Sequence, residues 1–323
     1  MDQSTPRPGI QQIFTTIFLV FLALTLPGAD WSLFGWLHAL LPLGVFALLA
    51  HYGVTVGGKF VLAGLIMAVV VGVVVPPLSI PLFALSMVPV GYVLAISGSA
   101  ADSPVRAGTK GIVTLLVSWL LLIGAAGVFT GHSPYSAFTM TLNSAIDETL
   151  GYYRTSGSLA PDAMMMLETT LQQMRIVLPI ILPSLIAGSA VFVVWLTMVA
   201  GNRLAARLYS RTIWPLFRYW QLPDRLIWLA IGCAVPAVIP GVARYMAINL
   251  LIVLSAIYCL QGLAICVFFL NKWKAPPLFR SFIYVMIIFQ SFGTLVLLIA
   301  GVADVWLDLR KLQPKAPVPR DSE

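Results

Sequence analysis

Long apolar runs dominate this sequence. Ile10 to Leu26 contains no charged residue, and comparable runs follow along most of the chain. A helix rises about 1.5 Å per residue, so about 20 mostly apolar residues cross a hydrocarbon core of about 30 Å. Nine segments meet or approach that length: 10–27, 31–50, 58–75, 78–98, 109–130, 176–200, 225–240, 245–270 and 281–303. Of the 323 residues, 59% are hydrophobic and only 10% are charged. A soluble domain carries about 25% charged residues, so lipid must solvate much of this chain. The expected fold is all-α, a multi-pass transmembrane bundle of eight or nine spans.

Punctuation supports the segmentation. Pro27-Gly28 and Pro76-Pro77 separate their neighbours so tightly that each pair should form an antiparallel hairpin. Glycines and small residues inside spans, such as Gly124, Gly127 and Ala187-Gly188-Ser189-Ala190, suit close helix contacts. Residues 131–175 form the one long polar insertion. In it Phe138, Leu142, Ile146, Leu150 and Tyr153 recur at helical spacing, and so do Met164, Leu167, Leu171 and Met174. An amphipathic helical hairpin is predicted there. The chain then divides into a five-span bundle (1–130), the hairpin (131–175), a three- or four-span bundle (176–311) with a basic loop at 201–225, and a disordered tail (312–323).

Orientation follows from the basic residues, which favour cytoplasmic loops. With the N-terminus cytoplasmic, the inner segments hold Arg7, Lys59, Arg106, Lys110, Arg203, Arg207, Arg211, Arg218, Arg225, Lys272, Lys274 and Arg280. The outer ones hold Arg154, Arg175 and Arg244, which makes the hairpin extracytoplasmic. The tail breaks this pattern. Nine full spans would carry Arg310, Lys311, Lys315 and Arg320 outside, so either one candidate fails or the last run folds back.

Few residues offer chemistry. Ionisable groups at mid-membrane depth are costly and usually functional, yet the spans supply only His38, Asn249, Gln261 and Gln290 as polar candidates for a binding cavity. There is no phosphate-binding loop, no Gly-x-Ser-x-Gly and no His-Glu-x-x-His, so no enzyme activity and no cofactor is expected. Cys233, Cys259 and Cys266 lie in apolar runs without metal-ligand spacing. The most distinctive loop is 202–226. Arg203, Arg207 and Arg211 repeat at every fourth residue, followed by Trp214, Arg218 and Trp220. Arginines and interleaved aromatics fit anionic headgroups and the interface, and alternatively a membrane or cytoplasmic protein partner. No nucleic acid is expected.

The last span runs into GVADVWLDLRK, residues 301–311. Continued as a helix it is amphipathic, with Asp304, Asp308 and Lys311 on one face. Asp304 sits at the edge of the apolar run. A buried partner is predicted for it, drawn from the arginines of the basic loop, and Asp308 is in range of Lys311. Asp304 and Asp308 are the candidates for a structural ion pair.

Three blocks resemble the YybS-like family of predicted bacterial membrane proteins of unknown function. They are Trp220-Gln221-Leu222-Pro223; Asn249 with Tyr258-x-x-Gln261-Gly262-Leu263; and Gly301-x-x-Asp304-x-x-x-Asp308-x-Arg310-Lys311. The five N-terminal spans are similar in pattern to the S components of energy-coupling-factor transporters. Their first span lacks the Ala-x-x-x-Ala docking stripe of those proteins. The resemblance implies a bacterial inner-membrane protein, small-molecule binding or permease-like, acting with partners. The alternative is a membrane scaffold that docks a cytoplasmic protein through the Arg-rich loop.

Overall fold

A computed structural model describes residues 9–74, 79–209 and 212–312. Regular secondary structure among these residues is entirely helical. That fits the solvent: with no water in hydrocarbon, peptide groups must bond to one another, which a helix achieves within its own segment. The helices are α1 (Ile10–Ala29), α2 (Trp31–Phe34), α3 (Leu37–Val74), α4 (Ser79–Ser99), α5 (Pro104–Thr130), α6 (Pro134–Ser156), α7 (Pro161–Tyr209), α8 (Arg225–Val238), α9 (Val242–Lys272), α10 (Pro277–Phe289) and α11 (Ser291–Leu307), with a 3₁₀ turn at Phe217–Tyr219. Among the described residues, six helices are long and apolar enough to cross a membrane, or seven if the bent pair α10–α11 counts as one.

That count is slightly below the expected eight or nine, and three features account for the difference. First, the expected spans 31–50 and 58–75 fall within α3, which is interrupted at Gly53 (φ 75°, ψ 163°). Only glycine adopts that conformation readily. The two arms fold back on each other there: Tyr52 meets Phe60 at 5.3 Å between ring centroids, and a Cβ on Gly57 would lie 2.9 Å from the Leu48 carbonyl oxygen. Second, α8 has only 14 residues, about 21 Å at 1.5 Å each, less than the hydrocarbon thickness. Third, the expected span 281–303 is broken at Gln290, where α10 and α11 meet at a bend of 98°.

The turns also differ in detail. Pro27 lies inside α1, not at its end, and the chain turns at Asp30. The Asp30 carboxylate accepts from the Leu33 N–H at 3.1 Å and so starts α2. The Pro76-Pro77 turn, Arg7, Arg211 and the tail from residue 313 lie outside the described residues.

The chain forms two compact units, Met1–Trp214 and Pro215–Glu323. In the first, α1, both arms of α3, and α4 pack closely. A Cβ on Gly64 would lie 2.5 Å from Val20 Cγ1, and one on Gly91 would lie 2.6 Å from Val45. By contrast, Gly124 and Gly188, expected to mark helix contacts, have nothing within 4 Å. Small residues permit close approach but do not say which ones are used. The insertion forms the α6–α7 hairpin. Arg154 pairs with Glu168 at 2.7 Å across it, Arg175 pairs with Asp147, and Ile146 and Leu150 are buried. After the hairpin, α7 continues through Pro179 and Pro183 without a break.

In the second unit, α9 and α11 cross with their backbones in contact. A Cβ on Gly262 would lie 1.9 Å from the Leu297 carbonyl oxygen, and one on Gly301 would lie 2.0 Å from that of Tyr258. Neither backbone can yield without separating the helices. Replacing Gly301 by Ala is expected to cost about 3 kcal/mol or more, at or beyond the upper end of overpacking penalties. Gly124→Ala should be neutral within about 0.5 kcal/mol. Thermal unfolding in detergent distinguishes them; equal midpoints for the two variants would refute the crossing.

Candidate functional site

Two polar constellations stand out, one in each unit. The first lies where α4 and α7 end and α5 begins. Asn202, near the end of α7, is 4% exposed. Its side-chain oxygen accepts from the N–H groups of Ile213 (2.8 Å) and Trp214 (3.1 Å), and its amide donates to the Trp214 carbonyl (2.8 Å). One asparagine thus holds the returning chain against the helix it has just left. Trp214 stacks on Phe46 at 5.7 Å, and its indole N–H donates to the Asp102 carbonyl at 3.2 Å.

Asp102 in turn gathers charge. Its carboxylate is 8% exposed, 2.6 Å from the Lys110 ammonium and 3.5 Å from Arg106. The hydrogen bond from Lys110 holds the Asp102 carboxyl below the usual carboxylate range. Lys110 and Arg106 remain about half and mostly exposed, and Arg203 and Arg207 are exposed on the last turns of α7. The result is an ordered cationic end built on one covered aspartate. Trp214 was expected at an interface with lipid or a partner, but at 3% exposure it is an internal plug. Its ring is drawn in because Phe46 and the Asp102 carbonyl satisfy both its apolar face and its N–H. Sequence reading singled out neither Asn202 nor Asp102. Asp102 stands four residues before Arg106 and eight before Lys110, a helical ion-pair spacing that could have marked it; the partners of Asn202, 11 and 12 residues on, are brought to it by the loop that follows α7.

The second constellation closes α11. The helix stops at Leu307 because Asp308 takes a left-handed conformation (φ 38°, ψ 57°), its N–H donating to the Asp304 carbonyl at 3.1 Å. The chain then hooks back. Asp304 Oδ1 accepts from the Leu309 N–H at 3.0 Å, and Oδ2 accepts from Arg310 Nη2 and Gln261 Nε2, each at 2.9 Å. Arg310 Nη1 donates to the Arg218 carbonyl at 2.7 Å. The side chains of Arg310 and Asp304 are 0% and 3% exposed.

This differs from the sequence expectation in two respects. Asp304 pairs with Arg310, six residues on, and the basic loop contributes the carbonyl of Arg218, not its guanidinium. The stretch 301–311 is not a continuous surface helix, since its end doubles back; Asp308 Oδ1 caps the turn through the Leu312 N–H at 3.0 Å. A hook lets one carboxylate meet a side chain, a backbone N–H and a neighbouring helix at once.

The remaining candidates are dispersed. His38 is 1% exposed in the first unit, with its ring 5.4 Å from Phe83. Gln261 belongs to the Asp304 cluster. Asn249 donates to the Tyr245 carbonyl of its own helix, and Gln290 is exposed at the α10–α11 break. Asn249 and Gln290 stand 12 and 14 residues along their helices from Gln261 and Asp304, about 18 and 21 Å. The three second-unit residues therefore share no cavity. On the basic loop, the Arg218 guanidinium lies 4.9 Å over the Tyr219 ring, and the Trp220 indole donates to the Pro215 carbonyl at 2.7 Å. No group of three or more His, Cys, Asp or Glu side chains that could hold a metal occurs among the described residues. A cavity of about 270 Å³ lies between α1 and α3, lined by Thr16 and otherwise by apolar residues such as Leu19, Leu41 and Leu48.

Removing one partner of a buried ion pair strands the other charge, at a cost of about 3–5 kcal/mol, whereas apolar replacement of both is often tolerated. Asp304→Asn is therefore expected to destabilise the protein by that amount. The double variant Asp304→Leu/Arg310→Met should recover most of it. Midpoints of thermal unfolding for wild type and both variants test this; an unchanged single variant would leave Asp304 a solvated charge.

Over residues 13–305 the sequence matches the family described as Predicted membrane protein (DUF2232). No curated protein and no solved structure matches it.

Proposed function

The chain belongs to the DUF2232 family of predicted membrane proteins, and from that premise we propose that it is a membrane-embedded docking component. It recruits an acidic cytoplasmic partner to its cationic end. The observation that carries this reading is the Asn202–Trp214–Asp102 anchor. It fixes an end of the unit where Arg106 and Lys110 pair with one covered carboxylate and Arg203 and Arg207 lie exposed on the last turns of α7. A surface fixed before binding loses less side-chain and loop freedom on association. Meanwhile Gln261 and Asn249, two of the three polar candidates in the second unit, are taken up by structural hydrogen bonds. The reading sets the protein in a bacterial cytoplasmic membrane with its N-terminus inside.

The α1–α3 cavity favours a second reading, a small-molecule binding or permease-like component, in line with the resemblance to YybS-like proteins and S components. Its lining suits an acyl chain or another apolar ligand. A ligand at 100 times its dissociation constant would stabilise the protein by about 2.7 kcal/mol. Leu41→Trp, which fills the cavity, should abolish that gain.

The docking reading is tested with a photo-crosslinking residue at Arg207 in intact cells. A discrete protein adduct is expected, lost in a background of Arg203→Glu with Lys110→Glu. Adducts to phospholipid alone would reduce the cationic end to a membrane anchor.

A further inference from the structure

The direction of α11 settles a matter that basic-residue counting leaves open. Tyr258 meets Gly301 and Gln261 meets Asp304; likewise Cys259 meets Thr294 and Gly262 meets Leu297. The two glycine contacts mark the crossing point and give no direction, since Tyr258–Gly301 and Gly262–Leu297 run in opposite senses. The side-chain contacts around it, Cys259–Thr294 and Gln261–Asp304, advance together, so α11 crosses α9 pointing toward the Lys272 end. Had α10 and α11 together formed one more span, the chain would return antiparallel to α9.

Depth gives the same answer. The contacts of α11 with α9 fall between Tyr258 and Gly262, 16 residues past the start of α9 at Val242 and 10 residues before its end at Lys272. The chain enters from the Lys272 end, climbs partway through the 13-residue α10, bends by 98° and comes back. The hook then anchors the exit. Arg310 reaches the carbonyl of Arg218, and Tyr219 packs on Phe268 at 6.1 Å, so the 215–224 loop lies at this same end.

We infer that α10 and α11 form a re-entrant pair, and that the C-terminal tail leaves the membrane on the face that carries the 215–224 and 273–276 loops, a face that rests on anionic lipid headgroups. This inference stands apart from the docking reading. Its chemistry is that of an interface. Lys274 and Lys311 are exposed, Lys272 lies over the Phe269 ring, and Trp273 and Trp306 are 70% and 61% exposed. Exposed tryptophans beside lysines mark headgroup depth, and the lysines favour an anionic leaflet. The opposite end of α9 offers Arg244 and Tyr245. The positive-inside bias then makes the tail cytoplasmic, and the basic residues of the tail cease to be an exception.

The test uses full-length protein in which Cys233, Cys259 and Cys266 are replaced by Ala. Single cysteines are introduced as Trp273→Cys, as Arg244→Cys, or after Glu323, and are labelled with a membrane-impermeant maleimide in right-side-out and inverted vesicles. The inference expects the 273 and terminal positions to label from one side and 244 from the other. A terminal cysteine that labels with 244 would make α10–α11 a full span and overturn the topology; 273 labelling with 244 would overturn it too. A fluorescent-protein fusion after Glu323 in the wild-type background, bright only in the cytoplasm, covers the case in which the cysteine-free protein fails to fold. For the lipid contact, phosphatidylglycerol added to phosphatidylcholine nanodiscs should raise the thermal midpoint. That rise should vanish in Lys272→Gln/Lys274→Gln/Lys311→Gln. An equal midpoint in both lipids would overturn the headgroup assignment.

Discussion

A peptide group in hydrocarbon has nothing to bond but another peptide group. Most of this molecule follows from that constraint. Helices form wherever the chain is apolar, and they continue past residues that would end them in water: Pro42 and Pro89 lie within α3 and α4, and Pro179 and Pro183 within α7. Interruptions are few, and each has a local reason. At Gly53 the backbone takes a conformation reserved for glycine. At Gln290 the N–H still reaches the Met286 carbonyl at 3.0 Å, and the Gly293 N–H reaches back to the Gln290 carbonyl at 2.9 Å, so the bend leaves few groups unpaired.

The hook after α11 is where the same constraint meets charge. An aspartate and an arginine are buried together at the end of an apolar helix, an expensive choice unless every lone pair and proton finds a partner. Asp304 accepts three hydrogen bonds besides the one to its backbone carbonyl, and Arg310 makes two, while its buried Nε–H has no partner among the described residues and keeps part of that cost. Each bond joins a different piece: α9 through Gln261, the turn through Leu309, the loop through Arg218. An apolar contact could supply comparable energy but not this geometry, since only directional groups specify where three segments meet. The glycine crossing at Gly262 and Gly301 sets the register that lets Gln261 reach Asp304.

Much of the architecture was legible in the sequence, because apolar run length and period act locally. The helical hairpin at 131–175 follows from spacing in the same way, as does the membrane character of the chain, which the family match supports. The two constellations were less legible. Asp304 could be singled out by its position at the edge of an apolar run, whereas its partner could not: Arg310 becomes a neighbour only after Asp308 reverses the chain. Trp214 reads as an interfacial aromatic until Phe46, 168 residues earlier in the chain, is seen to cover it. Asn202 carries no signal in spacing, since its partners are brought to it by the returning loop, whereas Asp102 stands four residues before Arg106.

The sequence by itself thus determined the solvent, the helical class, the length of most segments and the gathering of positive charge into particular loops. These depend on residues near one another in the chain. Tertiary structure alone decided which glycines are crossing points, which tryptophan is buried, and that the Asp304 hook closes on α9 through Gln261. Those outcomes depend on contacts between residues far apart in the chain, 35 to 43 positions between α9 and α11 and 168 between Phe46 and Trp214. At such separations one register brings Gln261 to Asp304 and opposes two glycines to backbone carbonyls, while others would leave a buried charge unbonded or a side chain inside a neighbouring helix.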